Sequence, residues 1–443
     1  MNIFRIILLA AVIMMAAACK RSAELLDSIP ADADAVARID IRRLAKECGN
    51  ALPHDISDRI HRLETAVDLS EVFLVVDAGG RDVWLTATII NSDSLTAALG
   101  QPSDKDADGF VSYAGGTTLP EAYARDGRIW VAADRQSSAT PAAMVRKATA
   151  SGGEGSMAKV PGTGDFLRRP MMAGIAVAGN GFTDQWQCIE MQIHDNALVF
   201  DHFRVDQRGM VAPTAGLEPV NTRFLDYAPH PASMAFATGI DKDNVDWDGI
   251  GKAIGMIGGF TYYGFYESIL PFLKEIDGTI SIVASQPADG HPGSVDISTT
   301  RFIIMAHMGQ ESARKAIATA EAYIVRLGLP VDKAADGSLA LRYGSIHLHA
   351  AYIDGYLTIS NFVPHKSEPS PQLVDAMKGH LATGLLDIDR ATVRRWLHTA
   401  DYGVSIKAEA GNTHNTVTLR LTGCGDTPIL QALIKTFVHT NND

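Results

Sequence analysis

The sequence predicts an α+β protein built from two homologous units, each a mainly antiparallel sheet with helices packed on one face. Three observations support this: an internal repeat of strand-like and helix-like segments, neighbouring hairpins in place of regular strand–helix alternation, and 443 residues of which 46% are hydrophobic. At about 100 to 200 residues per domain, that length suits two or three domains with their own cores. The apolar fraction excludes a disordered chain, and four cysteines exclude a disulfide-dense miniature fold.

Residues 1–18 have the features of a secretory leader. Arg5 precedes ten apolar residues, Ile6 to Met15, and small residues follow at positions 16–18. Ten apolar residues are too few to span a hydrocarbon core about 30 Å thick. A cleaved leader is therefore favoured over a transmembrane helix.

Small residues directly before Cys19 resemble the lipobox of bacterial lipoproteins, although Ala16 stands where that pattern usually has Leu. The resemblance implies that Cys19 carries the lipid, palmitate included, and becomes the first residue of the mature chain. Several acyl chains anchor a protein far more firmly than one. By the same resemblance, Lys20 implies the outer membrane, and the lack of an acidic cluster in residues 20–24 favours its periplasmic face. The alternative is an ordinary leader followed by a chance cysteine.

The internal repeat begins with a proline turn, after which an alternating run ends in Asp and leads into a helical stretch. Residues 29–40 and 228–241 both fit this description. Farther along, a strand running into a helix over 83–99 parallels the same pattern over 301–317. These pairs occur in the same order in the two halves.

Two further correspondences extend the repeat. Asp126-Gly127 and Asp354-Gly355 each predict the tight turn of a hairpin, because this dipeptide tolerates positive φ. Arg168-Arg169 precedes a strand over 174–178, and Arg394-Arg395 precedes one over 402–408. The paired arginines suggest either an anionic ligand or partner, or internal ion pairs at helix ends, and the second reading is favoured.

These correspondences divide the chain into consecutive segments. We expect the leader over residues 1–18, a tether over 19–28, a first α+β unit over 29–210, a linker over 211–218 and a second unit over 219–443. The second unit closes with an amphipathic helix over 427–439.

The lipobox, the opening run Ile29 to Leu44 and the tandem layout together resemble a family of Bacteroidales lipoproteins of unknown function. The resemblance implies a cell-envelope protein. Because the family has no established activity, it implies no catalytic residue.

Charge and motifs narrow the function classes. With 39 Lys and Arg against 51 Asp and Glu, the formal net charge of −12 makes nucleic acid an unsuitable partner. The chain contains no Gly-x-Ser-x-Gly, His-Glu-x-x-His, Cys-x-x-Cys or P-loop motif, so an enzyme is disfavoured and no cofactor is expected. If Cys19 is lipidated, Cys48, Cys188 and Cys424 can form at most one disulfide.

The best candidate metal site is an acidic loop containing Asp104, Asp106, Asp108 and Gly109, which has the spacing of a calcium loop. Position twelve of that loop is Gly115, where the closing Glu would stand. The alternative is a solvated hairpin turn, which is also what residues 332–337 predict.

Two other segments carry candidate contacts. His347 and His349, with His307 as a possible third ligand, point to one face of a predicted strand and could share a transition metal. The uncharged stretch 253–266 is a candidate contact patch for an envelope protein partner, and packing within the fold is its favoured alternative. The aromatic members of that patch are Tyr262, Tyr263, Phe265 and Tyr266.

The favoured function is that of a lipid-anchored envelope protein acting as a non-catalytic binding or assembly module. The alternative is a metal-dependent enzyme or metal-binding protein that uses His347 and His349 or the Asp104–Asp108 loop.

Overall fold

A computed structural model describes the chain as two compact units. The described residues are 25–77, 82–113, 121–132, 141–149, 153–179, 185–247, 270–285, 300–344, 346–397 and 400–439. Met1–Ala212 together with Asp426–Asp443 form the first unit, and Pro213–Gly425 form the second. The strands pair in antiparallel ladders and alternate irregularly with helices. The predicted α+β class with mainly antiparallel sheets is confirmed.

Nine α-helices have both ends within the described residues, and residues 270–273 are also helical. The nine are α1 (Ile41–Cys48), α2 (His54–Glu64), α3 (Ser92–Leu99), α4 (Ala142–Thr149), α5 (Thr163–Arg168), α6 (Gln310–Arg326), α7 (Pro371–Met377), α8 (Arg390–Trp396) and α9 (Ile429–His439). Short 3-10 helices include Leu25–Ser28 before the first sheet and Thr222–Tyr227 before the second. Side chains begin several helices: Asp40 caps α1, Asn91 caps α3 and Asp389 caps α8.

The described strands of the first unit form one sheet. Its strands are β1 (Ala35–Ile39), β2 (Val67–Val76), β3 (Val83–Ile89), β4 (Val111–Tyr113), β5 (Ala122–Arg125), β6 (Arg128–Ala132), β7 (Ala173–Val177), β8 (Trp186–His194), β9 (Ala197–Val205) and β10 (Val211–Ala212). The pairings place them in the order β4-β5-β6-β3-β2-β1-β7-β8-β9-β10.

In the second unit, too, the described strands form one sheet. Its strands are β11 (Leu217–Glu218), β12 (Ala232–Ile240), β13 (Ile276–Ser285), β14 (Phe302–Met308), β15 (Val331–Lys333), β16 (Leu339–Tyr343), β17 (Ile346–Ile353), β18 (Tyr356–Ser360), β19 (Ala382–Ile388), β20 (Gly403–Ala410) and β21 (His414–Thr422). Their order is β15-β16-β17-β18-β14-β13-β12-β19-β20-β21, with β11 beside the end of β12. Across the sheet from β16 at one side to β21 at the other, each strand has a counterpart in the first sheet. The counterparts occur in the same order, from β4 to β9.

Helices cover both faces of each sheet, so the expectation of helices on one face is wrong. Consecutive β3 residues point to opposite faces, yet Trp84 and Leu85 are both buried, in different core clusters. Leu85 packs with residues of α1, α2 and α3, whereas Trp84 packs with residues of α4 and α5. In the second unit, Met305 and Ala306 likewise belong to clusters on opposite faces. A strand that is apolar on both faces needs a covering layer on each.

The two predicted Asp-Gly hairpin turns are confirmed. Asp126 and Asp354 have φ values of 49° and 48°, and the glycine that follows each is also in the positive-φ region. The Tyr227 hydroxyl donates a hydrogen bond to Asp354 Oδ2 over 2.6 Å, which ties the second turn to the 3-10 helix before its sheet. Burial, then the negative charge of Asp354, raises the pKa of Tyr227 to about 12, so this donor keeps its proton.

The fourth correspondence, between the arginine pairs, is wrong in register. α5, which carries Arg168, precedes β7, and β7 pairs with β1. The strand that pairs with the matching β12 is β19, and the helix before it is α7. α8, which carries Arg394, instead lies between β19 and β20. The two arginine pairs therefore occupy different positions in their units.

The C-terminal helix α9 belongs to the first unit, which differs from the expected span of 219–443 for the second. The backbone N–H of Ile429 donates to Asn196 Oδ1 over 2.7 Å, and Asn196 Nδ2 donates to the carbonyl of Thr427 over 3.1 Å. The amphipathic pattern is correct, because Ile429 and Ile434 are buried. Their burial depends on residues distant in sequence, so the pattern alone could not assign the helix to a unit.

Substitutions on β3 test whether both faces are covered. We expect Trp84→Ala to lower the free energy of unfolding of the first unit by about 3 to 5 kcal/mol and Leu85→Ala by about 2 to 5 kcal/mol, because each leaves a cavity in a packed core. Denaturant unfolding measures both values. Ile90→Ala, at an exposed position next to the same strand, is the control and should have a small effect. A near-neutral result for either β3 variant would contradict the two-layer cover.

Candidate functional site

The acidic loop, the candidate calcium site, is built as a hairpin turn. Asp106 Oδ1 accepts hydrogen bonds from the backbone N–H groups of Asp108 and Phe110, both at 2.9 Å. The Asp108 carboxylate forms an ion pair with Arg146, and Asp104 is exposed. The oxygens of Asp106 and Asp108 thus already have partners within the protein, as expected of a turn.

The three predicted histidine ligands are distributed along the second sheet. His347 is exposed, and His349 is half-buried with Ser360 opposite it on β18. His307 lies opposite Tyr356, at the other end of β18, and its ring hydrogen-bonds a backbone carbonyl. His347 and His349 share a face of β17, and the structure does not bring His307 to them. Within the described ranges, no three His, Cys, Asp or Glu side chains form a group that could hold a metal ion.

The paired arginines make local contacts. Arg168 bonds Asp165 Oδ1 over 3.0 Å and the carbonyl of Ala158 over 2.7 Å. Arg395 donates to Thr392 Oγ1 over 3.1 Å, and Arg394 lies 4.0 Å from Asp401. These contacts fit the interpretation of arginines paired within the protein.

Two predicted features lie outside the described residues. They are Cys19 and the contact patch formed by Tyr262, Tyr263, Phe265 and Tyr266. Across the part of the chain that is described, none of the helices has the length and apolar character needed to cross a membrane.

The remaining cysteines are free thiols. Burial raises the pKa of Cys188 to about 12 and that of Cys48 to about 11, and Cys424 is half-buried. A nucleophilic or metal-binding cysteine needs a thiolate, so Cys48 and Cys188 are unreactive at neutral pH.

An apolar cavity of about 670 Å3 with the character of a binding site lies between α6 and the second sheet. Such a volume lies within the range of small-molecule sites. Helix α6 contributes Ile317, Ala320 and Tyr323, and the sheet contributes Ile280, Ala306 and Leu357 among others. We call this space the apolar cavity. Of the described residues in its wall, Thr319 and Tyr323 are the ones with side-chain oxygen or nitrogen atoms.

The matching face of the first sheet is closed. Ala87 lies between Val72 and Ile129 in the first ladder, just as Ala306 lies between Ile280 and Leu357 in the second. In both sheets the register shifts next to this point. Residues of α1, α2 and α3 pack over the first face. The two faces are therefore equivalent in the ladder, and among the described residues they differ in what covers them.

Exposure shows how far the second face is open. Val131 pairs with Leu85 and is 1% exposed. Ile359, at the same place in the second ladder, pairs with Ile304 and is 38% exposed. Tyr323, which also lines the apolar cavity, is 63% exposed. Large apolar side chains at the mouth of an apolar cavity indicate a site that is accessible from solvent.

Sequence reasoning missed this cavity. The repeat pairs residues 301–317 with residues 83–99, so it covers the helix after β14 only as far as the counterpart of Leu99, where α3 ends. Helix α6 continues to Arg326. Its apolar residues continue past the last buried one, Ile317. A helix nine residues longer than its counterpart was the available signal, yet it does not reveal what lies beneath. Comparison with protein-family models, curated proteins and solved structures gave no match.

Metal addition tests the interpretation of the acidic loop. We expect calcium or zinc to leave the Tm of the mature chain unchanged, because Asp106 and Asp108 already have protein partners. Asp106→Asn should also leave the Tm unchanged, since an Asn side chain can accept the same turn hydrogen bonds. Thermal unfolding with and without each metal measures this. A calcium-dependent rise in Tm that disappears in Asp106→Asn would restore the metal interpretation.

Proposed function

We propose that the chain is a lipid-anchored protein of the cell envelope that binds an apolar ligand in the apolar cavity of its second unit. The observation that carries the proposal is the contrast between an open apolar face under α6 and the closed face at the same ladder position in the first unit. Among the described residues, helices seal this face in the first unit and leave it open in the second.

The chemistry of the wall supports binding without catalysis. Among the described residues that line the apolar cavity, none is Asp, Glu, His, Lys, Arg or Cys. General acid–base and nucleophilic catalysis need such groups within hydrogen-bonding reach of a substrate. The driving force available is the removal of apolar surface from water, about 25 cal/mol per Å2 buried.

The location in the proposal comes from the leader. The lipobox at Cys19 would tether the mature chain to the outer membrane, with the periplasmic side favoured. A membrane is thus one partner, and an envelope protein that contacts the patch at Tyr262 to Tyr266 is a second. The resemblance to Bacteroidales lipoproteins supports the same location.

We also propose that the two units arose by duplication of one module. The shared strand order, the register shift at the start of β2 and β13, and the Asp-Gly turns at Asp126 and Asp354 support common descent. After duplication, one copy could keep a stable closed core while the other acquired a cavity.

Filling the cavity from α6 tests the binding site. Ala320 is exposed and lines the apolar cavity, whereas Ala318 is exposed on the same helix and does not. We expect Ala320→Phe to weaken binding of a neutral fluorescent probe, N-phenyl-1-naphthylamine, about tenfold by overpacking the space. Ala318→Phe should leave the affinity unchanged.

Fluorescence titration of the mature chain measures these affinities. Failure of the parent protein to bind the probe would contradict the proposal. Equal binding by the two phenylalanine variants would place the probe elsewhere.

Mass spectrometry of the mature chain tests the anchor. We expect an N-terminal Cys19 whose mass includes several acyl chains, and we expect Cys19→Ser to move the protein from the membrane fraction to the soluble fraction. An unmodified thiol at the mature N-terminus would contradict the lipid anchor while leaving the cavity proposal intact.

A further inference from the structure

A second cavity adjoins the apolar one and has a different lining. It encloses about 640 Å3 between α6, the β15–β16 turn and β17, and we call it the polar cavity. Ile317 of α6 and Ala350 of β17 line both cavities, so the two spaces meet at these side chains. Its lining on α6 lies N-terminal to that of the apolar cavity and begins with Gln310 and Arg314.

The ladder determines which charged groups of the polar cavity lie on the α6 side of the sheet. Lys333 lies opposite Leu339, which in turn lies opposite Ala350, a residue of the apolar cavity wall. Residues in line across a sheet share a face, so Lys333 is on the α6 side. Its ammonium is engaged by Glu321 Oε2 at 2.6 Å.

The acidic group Asp332 and the imidazole of His349 lie on the other side. Ala340 stands between them in the ladder, and Ser360 stands between His349 and Ile303. Ile303 belongs to the core cluster on the face away from α6. The carboxylate of Asp336 is occupied by the backbone N–H and hydroxyl of Ser338, at 2.9 and 2.8 Å.

Of the described cations that line the polar cavity, Arg314 therefore remains available on the α6 side. Among the described residues, its guanidinium has no hydrogen-bond or ion-pair partner, whereas the neighbouring Lys315 pairs with Glu311 over 2.9 Å. Arg314 also lies one turn before Ile317, where the polar and apolar linings meet. A guanidinium binds carboxylate or phosphate through two parallel hydrogen bonds.

We infer that the ligand is a single-chain amphiphile with an anionic head. Its hydrocarbon chain occupies the apolar cavity, and its carboxylate or phosphate binds Arg314 at the junction with the polar cavity. The inference rests on the proposed function, to which it adds the chemical class of the ligand. The same chemistry is offered by a free fatty acid and by a lysophospholipid.

Calorimetric titration of the mature chain with dodecanoate and with dodecanol, both below the concentration at which they aggregate, tests this assignment. We expect dodecanoate to bind more tightly than dodecanol. Arg314→Gln should weaken dodecanoate about tenfold and leave dodecanol unchanged, since only the former has a charged head. Lys315→Gln removes the same charge from the next position of α6 and should change neither affinity.

Titration with lauroyl lysophosphatidylglycerol distinguishes a free fatty acid from a lysophospholipid. If dodecanoate binds more tightly, the ligand is a fatty acid, and if the lysophospholipid binds more tightly, the ligand belongs to that class. Equal affinities for dodecanoate and dodecanol, with no effect of Arg314→Gln, would overturn the inference and leave the apolar site standing. Loss of binding for all three ligands would overturn the proposed function as well.

Discussion

The structure depends on one constraint: the central strands of each sheet are apolar on both faces, and both faces must be removed from water. Trp84 and Leu85 in the first unit, and Met305 and Ala306 in the second, show this in consecutive residues. Each face needs its own helical layer, which explains why helices are distributed along the whole chain. The described residues cover the face under α6 incompletely, and we propose that this face is the binding surface.

The hairpin turns and the strand-to-helix runs could be predicted because their signals are local. Asp126-Gly127 and Asp354-Gly355 require positive φ, and the runs at 83–99 and 301–317 change period from strand to helix. The number of covering layers could not be predicted so simply. A strand such as β3 is apolar along nearly its whole length. It therefore lacks the alternation of apolar and polar residues that would indicate whether one face or both are buried.

Two errors of prediction have a common origin in non-local pairing. The arginine pairs at Arg168 and Arg394 look alike in sequence, but α8 lies between β19 and β20 and has a different place in the sheet order. Helix α9 has the expected amphipathic pattern, yet Asn196 and the first unit hold it. Similarity of short segments indicates element type, whereas strand partners determine where each element belongs.

The candidate site was hidden for the same reason. The residues that line the apolar cavity are ordinary apolar residues of strands and a helix, and only their exposure distinguishes them. Ile359 and Val131 are both aliphatic strand residues at one ladder position, and what differs is the layer above them. The acidic loop and the histidines of β17 match metal-site patterns in the sequence. In the structure the loop is a hairpin turn, and His307 does not lie with the histidines of β17.

Diffraction from crystals pressurised with xenon measures the central contrast most directly, because xenon enters apolar cavities that a core does not fill. The account predicts a xenon peak between α6 and the second sheet, near Ala306 and Leu357, and none at the matching position near Ala87 and Ile129. Equal occupancy at both positions, or a second face filled by the chain itself, would contradict it.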